Sequence, residues 1–176
     1  YNLSVAESGA FALTLPINNG DTTGFGGDTF TWPNGSFRVL LSVEPWGFPL
    51  FAVAVPRYSL EPNGALHAVA ATGDGSVYYL NGPTSSHLHH YDWFGDLAWT
   101  FDFGLDLDDM ALAPTDDGGV LVLFTTGLPI NLGTGLLLPL PASSSDLIIA
   151  RFDATGTLLT TLRPIPATAV LSARED

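Results

Sequence analysis

At 176 residues with 46% hydrophobic content, the chain can bury a sizeable core, so a folded domain is expected rather than a disordered segment. Eighteen Asp and Glu against five Arg and no Lys give a net charge of −13, which removes the basic footprint that nucleic-acid binding needs. No cysteine is present, so disulfides and thiol chemistry are excluded, and no window is apolar enough to span a bilayer as a helix.

Nineteen Gly and thirteen Pro cut the chain into short elements rich in β-forming residues, and no segment shows a helical period. In chain order, strands are predicted over Asn2–Val5, Ala10–Thr14, Phe37–Val43 and Pro49–Val53. A second set follows at Tyr58–Leu60, Ala65–Val69, His87–Tyr91 and Leu97–Phe101. A third covers Met110–Ala113, Val120–Phe124, Leu147–Phe152 and Leu158–Leu162. Hairpin turns are expected at Glu61-Pro62-Asn63-Gly64 and Pro114–Gly118, because Pro presets an early turn position and Gly accepts positive φ.

The three sets are repeats. Val43-Glu44-Pro45-Trp46-Gly47, Tyr91-Asp92-Trp93-Phe94-Gly95 and Phe152-Asp153-Ala154-Thr155-Gly156 align without a gap, each reading hydrophobe, acid, two variable residues, Gly. A second series, at Gly9, Gly64 and Gly118, marks units of about 55 residues. Several strands are apolar on both faces, as in small sheets packed face to face around an axis. These features predict an all-β fold: a partial β-propeller of three four-stranded antiparallel blades at about 1–56, 57–108 and 109–166. Leu171–Asp176 echoes Leu3–Ser8, so 168–176 is read as the opening strand of a fourth blade and the chain as a fragment. Propellers close with roughly four to eight blades, so three need the remainder of a longer chain or a second copy, which would make a six-bladed homodimer.

The run Asp146-Leu147-Ile148-Ile149-Ala150-Arg151-Phe152-Asp153-Ala154-Thr155-Gly156 resembles the signature of bacterial SBBP-type β-propeller repeats. The stretch from Ala113 through Gly118-Gly119-Val120 to Gly127 is similar to the other half of that repeat, so the best match covers about residues 113–162. In the first unit Ser42 replaces the basic residue and Glu44 the Asp; in the second, His90 takes the basic position. The resemblance implies an extracellular or cell-surface scaffold and brings no catalytic residues with it.

Long loops on a rigid scaffold are where binding concentrates. Three are expected between second and third strands, at about 18–36, 73–86 and 127–146, and they put Asp21, Asp28, Trp32 and Asn131 forward as binding residues for protein or glycan. The close-spaced carboxylates Asp106, Asp108 and Asp109 are candidate calcium ligands, since hard oxygen donors suit that ion. His87 and His89 are placed on one face of their strand, with His67 in the neighbouring strand of that blade, and neutral imidazoles so arranged can bind a transition metal; His90 falls on the opposite face. No cofactor is expected beyond these ions, and no nucleophile-and-base pattern is found, so the function expected is non-enzymatic binding. The alternative is a hydrolase or lyase whose acidic central pocket is completed by further blades.

Overall fold

A computed structural model describes residues 2–17, 22–25, 28–31, 37–56, 67–82, 86–105, 107–126, 130–132, 137–138 and 146–163. Its strands run β1 (Asn2–Val5), β2 (Phe11–Ile17), β3 (Thr22–Phe25), β4 (Asp28–Thr31), β5 (Phe37–Val43) and β6 (Pro49–Pro56). There follow β7 (His67–Ala71), β8 (Val77–Asn81), β9 (His87–Tyr91), β10 (Leu97–Asp102) and β11 (Asp108–Pro114). The rest are β12 (Val120–Thr126), β13 (Ile130–Asn131), β14 (Leu137–Leu138), β15 (Asp146–Phe152) and β16 (Leu158–Leu162).

They form three four-stranded antiparallel sheets, ordered β1-β2-β5-β6, β7-β8-β9-β10 and β11-β12-β15-β16, and two small hairpins, β3-β4 and β13-β14. Innermost strands of successive sheets lie side by side: β7 contacts both β1 and β11. This is a partial β-propeller of three blades. The candidate fourth-blade strand at 168–176 lies outside the described residues.

One turn design recurs six times among the described residues. At Ala6–Gly9, Glu44–Gly47, Thr72–Gly75, Asp92–Gly95, Thr115–Gly118 and Asp153–Gly156, the glycine N–H donates to the carbonyl three residues back. All six glycines have φ between 79° and 89°, the left-handed region that only a residue without Cβ adopts at no steric cost. Side chains finish the turns. In the outer hairpins, Asp92 Oδ1 accepts from the N–H of Phe94 and Asp96, and Asp153 Oδ1 from those of Thr155 and Thr157. In the inner ones, Asp74 accepts from Ser76 and Asp117 from Thr115.

The second blade corrects the expected one. Its first strand is β7, where the even period predicts a second strand, and its second strand is β8, inside the loop predicted at 73–86. The inner-turn glycine is Gly75 rather than Gly64. The spacing misled because insertions moved: the link between β6 and β7 is long, while β8 and β9 are joined by 82–86 alone. The expected strand Tyr58–Leu60 and turn Glu61–Gly64 lie outside the described residues.

Two cores hold the blades together. Blades one and two share Ala12, Leu40, Phe51 and Val55 packed against Val69, Ala71, Val77 and Tyr79. Blades two and three share a larger core that includes Tyr78, Leu80, Leu88, Val122, Phe124, Ile148 and Phe152. Blade two therefore buries both faces, which is why Val77–Leu80 is apolar without alternation.

Candidate functional site

Among the described residues the six glycine turns sit at one end of the blades, so the other end is left to the connections between second and third strands. Blades one and three each insert a hairpin there, β3-β4 and β13-β14. Of the binding residues expected on these loops, Asp21 and Trp32 lie outside the described residues. Asp28 falls in β4, paired with Phe25, and Asn131 in β13, paired with Leu137; their side chains are outside the described set.

Between the two inserts, the last row of blade two at this end is polar across all four strands. Backbone register aligns His67 with Asn81, Asn81 with His87, and His87 with Asp102. The row faces blade one. His67 Nε2 shares a 2.8 Å hydrogen bond with Thr14 Oγ1 and lies 3.5 Å from an Arg38 guanidinium nitrogen, while Asn2 Nδ2 donates to the His67 carbonyl. Asn81 is buried, and its Oδ1 accepts from the His87 N–H at 2.8 Å. His87 Nε2 lies 3.7 Å from the Asp102 carboxylate.

His89 is the next residue of β9 on this face. Its ring is stacked 5.9 Å from His87 and 6.1 Å from Tyr79, with Nδ1 on Thr100 Oγ1 at 3.0 Å. Burial, reinforced by the neighbouring His87, pushes its pKa down to about 4, so the ring is neutral at physiological pH. His87 and His89 share the face that alternation gives them, and His67 is on that face too, although β8 separates its strand from β9 rather than leaving the two adjacent as expected. They do not converge, because His67 is drawn to Thr14 across the joint. Among the described residues no three of His, Cys, Asp and Glu are grouped closely enough to hold an ion.

His90 is on the opposite face, sandwiched 4.4 Å from the Tyr78 ring and 5.5 Å from Trp99. Burial lowers its pKa against the opposing pull of Asp74 and Asp92. Of the candidate calcium ligands, Asp106 lies outside the described residues and Asp108 begins β11. Asp109 is exposed, with φ of 43° and Oδ2 3.4 Å from the Thr125 hydroxyl. That φ is costly for a residue with a Cβ and accompanies the irregular pairing between Asp108 and Ala111.

Sequence reasoning missed Asn81 and Asp102 as members of the polar row, and Thr14 and Arg38 as the blade-one residues that meet it. The signal was available in part: Val77-Tyr78-Tyr79-Leu80-Asn81 is a β-forming run behind an Asp-Gly turn, which would have placed Asn81 beside His87. A half-open cavity of about 370 Å³ lies at the tight-turn end, where the inner turns of all three blades meet. Equivalent residues line it: Val5–Glu7, Ala71–Gly73 and Pro114–Asp116, with Glu7 and Asp116 contributing carboxylates.

No protein-family model matches the chain, and no curated protein matches it. Among solved structures it is similar to a protein of unknown function from Bacteroides caccae. That chain is 14% identical, with 91% of this chain and 72% of the other covered at a TM-score of 0.37.

Proposed function

We propose that this protein is a non-enzymatic scaffold of the extracellular space or cell surface, of the SBBP repeat type, that binds protein or glycan through its long-loop face. The observation that carries the reading is the asymmetry between the blade ends. One end has six tight turns of a single design, and the other receives two inserted hairpins, both between second and third strands. Evolution inserts chain where a rigid framework presents it for contact. Of the polar row at that end, Asp102 is exposed and His87 partly so, and they add hydrogen-bonding groups suited to hydroxyls and amides.

Replacing 18–36 and 127–146 by short Gly-Ser turns tests the proposal. Binding to glycan arrays and to surface-protein extracts should be lost while the far-ultraviolet circular dichroism keeps the parent's strand signature; the melting temperature falls, because Ile130 and Leu132 of the second segment belong to the core between blades two and three. Binding that persists after both replacements would move the interface elsewhere. The hydrolase or lyase alternative draws on the tight-turn cavity lined by Glu7 and Asp116; turnover of a polysaccharide panel that vanishes in the Glu7→Gln, Asp116→Asn double variant would favour it instead.

A further inference from the structure

We infer that a notch at the tight-turn end, between the outer turn of blade one and the inner turn of blade two, takes an arginine side chain presented by a basic, apolar polypeptide segment. This surface lies at the opposite end of the blades from the long loops. One rule builds both joints: a fourth-strand side chain of one blade packs over a left-handed glycine of the next, Phe51 over Gly95 and Trp99 over Gly156. At the first joint Leu50 also packs over Gly75, and a notch of about 160 Å³ stays open there. Trp93, Pro45 and Leu50 give it apolar walls, and Glu44 and Asp74 line it with two carboxylates.

The molecule itself shows an inner-turn carboxylate taking a guanidinium. In blade three, Asp117 Oδ1 accepts from the Thr115 hydroxyl and the Gly119 N–H, while its Oδ2 accepts from Arg151 Nη2 at 2.6 Å. Asp74 holds the same place in blade two, and its Oδ1 is engaged likewise, by the Thr72 hydroxyl and by the N–H and hydroxyl of Ser76. His90, however, stands where Arg151 does, so Asp74 Oδ2 receives no donor from another residue among the described ones. Against the burial that opposes it, the hydrogen bonds from Thr72 and Ser76 hold the Asp74 carboxyl below its ordinary range, so it is ionised at neutral pH. Glu44 departs from its counterparts too. Asp92 and Asp153 give their carboxylates to N–H groups of their own outer turns. The longer Glu44 makes no such bond among the described residues and lines the notch instead.

The outer turns beside the notch are aromatic and in water. Trp46 is 84% exposed, Phe48 66%, Trp93 50% and Phe94 65%, and the Trp93 and Phe94 rings lie 3.8 Å apart. A further blade would not cover them. Phe94 holds the place of Trp46 in blade two, which has a blade on each side, and is exposed all the same. Exposed aromatic side chains gathered on one surface mark a site of interaction. The occupant follows from the chemistry of the notch. A planar guanidinium stacks on an indole while its N–H fork reaches a carboxylate, and an ammonium offers only a point charge. The net charge of −13 draws in basic partners and repels acidic ones. A neutral glycan would also stack on the indoles, but it would leave both carboxylates without a counter-charge.

The test is a titration of the 176-residue chain with a short peptide bearing one arginine between two leucines, at about 150 mM salt to screen distant charges. Binding is read from the indole N–H resonances, with Trp93 assigned by Trp93→Phe. The Trp93 signal should shift with a dissociation constant of about 1 mM, too weak to be retained in an extract assay of the long-loop face. Citrulline in place of arginine, neutral and of the same shape, should weaken binding about tenfold, and lysine about threefold. Glu44→Gln and Trp93→Ala, both away from the buried cores, should each weaken it about fivefold with the circular dichroism unchanged. Asp109→Asn removes the same charge at the long-loop end, where β11 begins, and should leave the affinity as it was. No shift of the Trp93 signal up to about 10 mM peptide overturns the inference. So does a citrulline peptide that binds as well, or an Asp109→Asn loss equal to that of Glu44→Gln, which would mean bulk charge alone. Displacement of the arginine peptide by a neutral oligosaccharide overturns it as well and gives the surface to glycan.

Discussion

The two joints within the molecule are built by the same rule and finished with different chemistry. Between blades two and three the core is larger and aromatic: Phe152 meets Phe101 edge-on at 4.7 Å, and Phe103 meets Phe124 edge-on at 5.5 Å. Between blades one and two the core is smaller and gives way, toward the long-loop end, to Thr14, Arg38, His67, Asn81 and His89. Consecutive residues of β9 divide between them, His89 entering the polar joint and His90 the aromatic one. Alternation along one strand thus lets a single blade present two unlike faces. The aromatic joint supplies cohesion, and the polar joint carries the groups that respond to solution conditions.

The largest contrast is expected from truncation. Phe152→Ala, at a buried ring touched by Trp99, Phe101 and Phe103, should cost about 3–5 kcal/mol in urea denaturation. Phe51→Ala, in the smaller core, should cost less. Equal losses would mean that the joints do not differ in cohesion.

Acid should separate the joints next. His89 is neutral when folded and has an ordinary pKa near 6.5 when unfolded, so the unfolded chain takes up the extra proton. Its contribution is fully present above about pH 6.5 and declines as pH falls toward about 4, where the folded ring also titrates. For a partly exposed ring this is on the order of 2 kcal/mol. His89→Gln should flatten the stability profile between those limits; a profile that keeps its slope would assign the acid response to other groups.

Glycine substitution compares filled and open turns. Gly156→Ala meets both a φ of 85° and the Trp99 ring 2.7 Å from the new Cβ, so its cost should exceed the roughly 1–2 kcal/mol of left-handed strain alone. Gly47→Ala, with φ of 88° and open space, should cost only that strain. The smallest effect is expected from Tyr78→Phe, which keeps the packed ring and removes the hydroxyl from the Gly118 carbonyl, for about 1 kcal/mol. That hydroxyl titrates far from neutrality, since burial, with help from Asp74, pushes its pKa up to about 12.

Much of the fold was legible in the residues. The outer turns at Gly47, Gly95 and Gly156 were found from their shared acid-x-x-Gly pattern, and all three are left-handed glycine turns. Strands Asn2–Val5, Phe37–Val43 and Leu158–Leu162 fall where composition placed them. The site was less legible. Alternation puts His87 and His89 on one face, but the partners of His67, Thr14 and Arg38, come from the neighbouring blade, and no local pattern announces a partner from so far along the chain.

The sequence by itself determined the strand-rich character, the number of blades among the described residues and the chemistry of the three outer turns, because these depend on contacts within a few residues. Tertiary structure alone decided which glycine opens blade two. Asn63-Gly64 and Asp74-Gly75 are both sound hairpin signals locally. What separates them is that only the second lets β7 and β8 pair His67 with Asn81 through Ala71 with Val77. That pairing buries Tyr78 and Leu80 toward blade three and Val69 and Val77 toward blade one. A one-residue change of register would exchange those faces, so the cores on either side of blade two, rather than its own turn residues, fixed its strands.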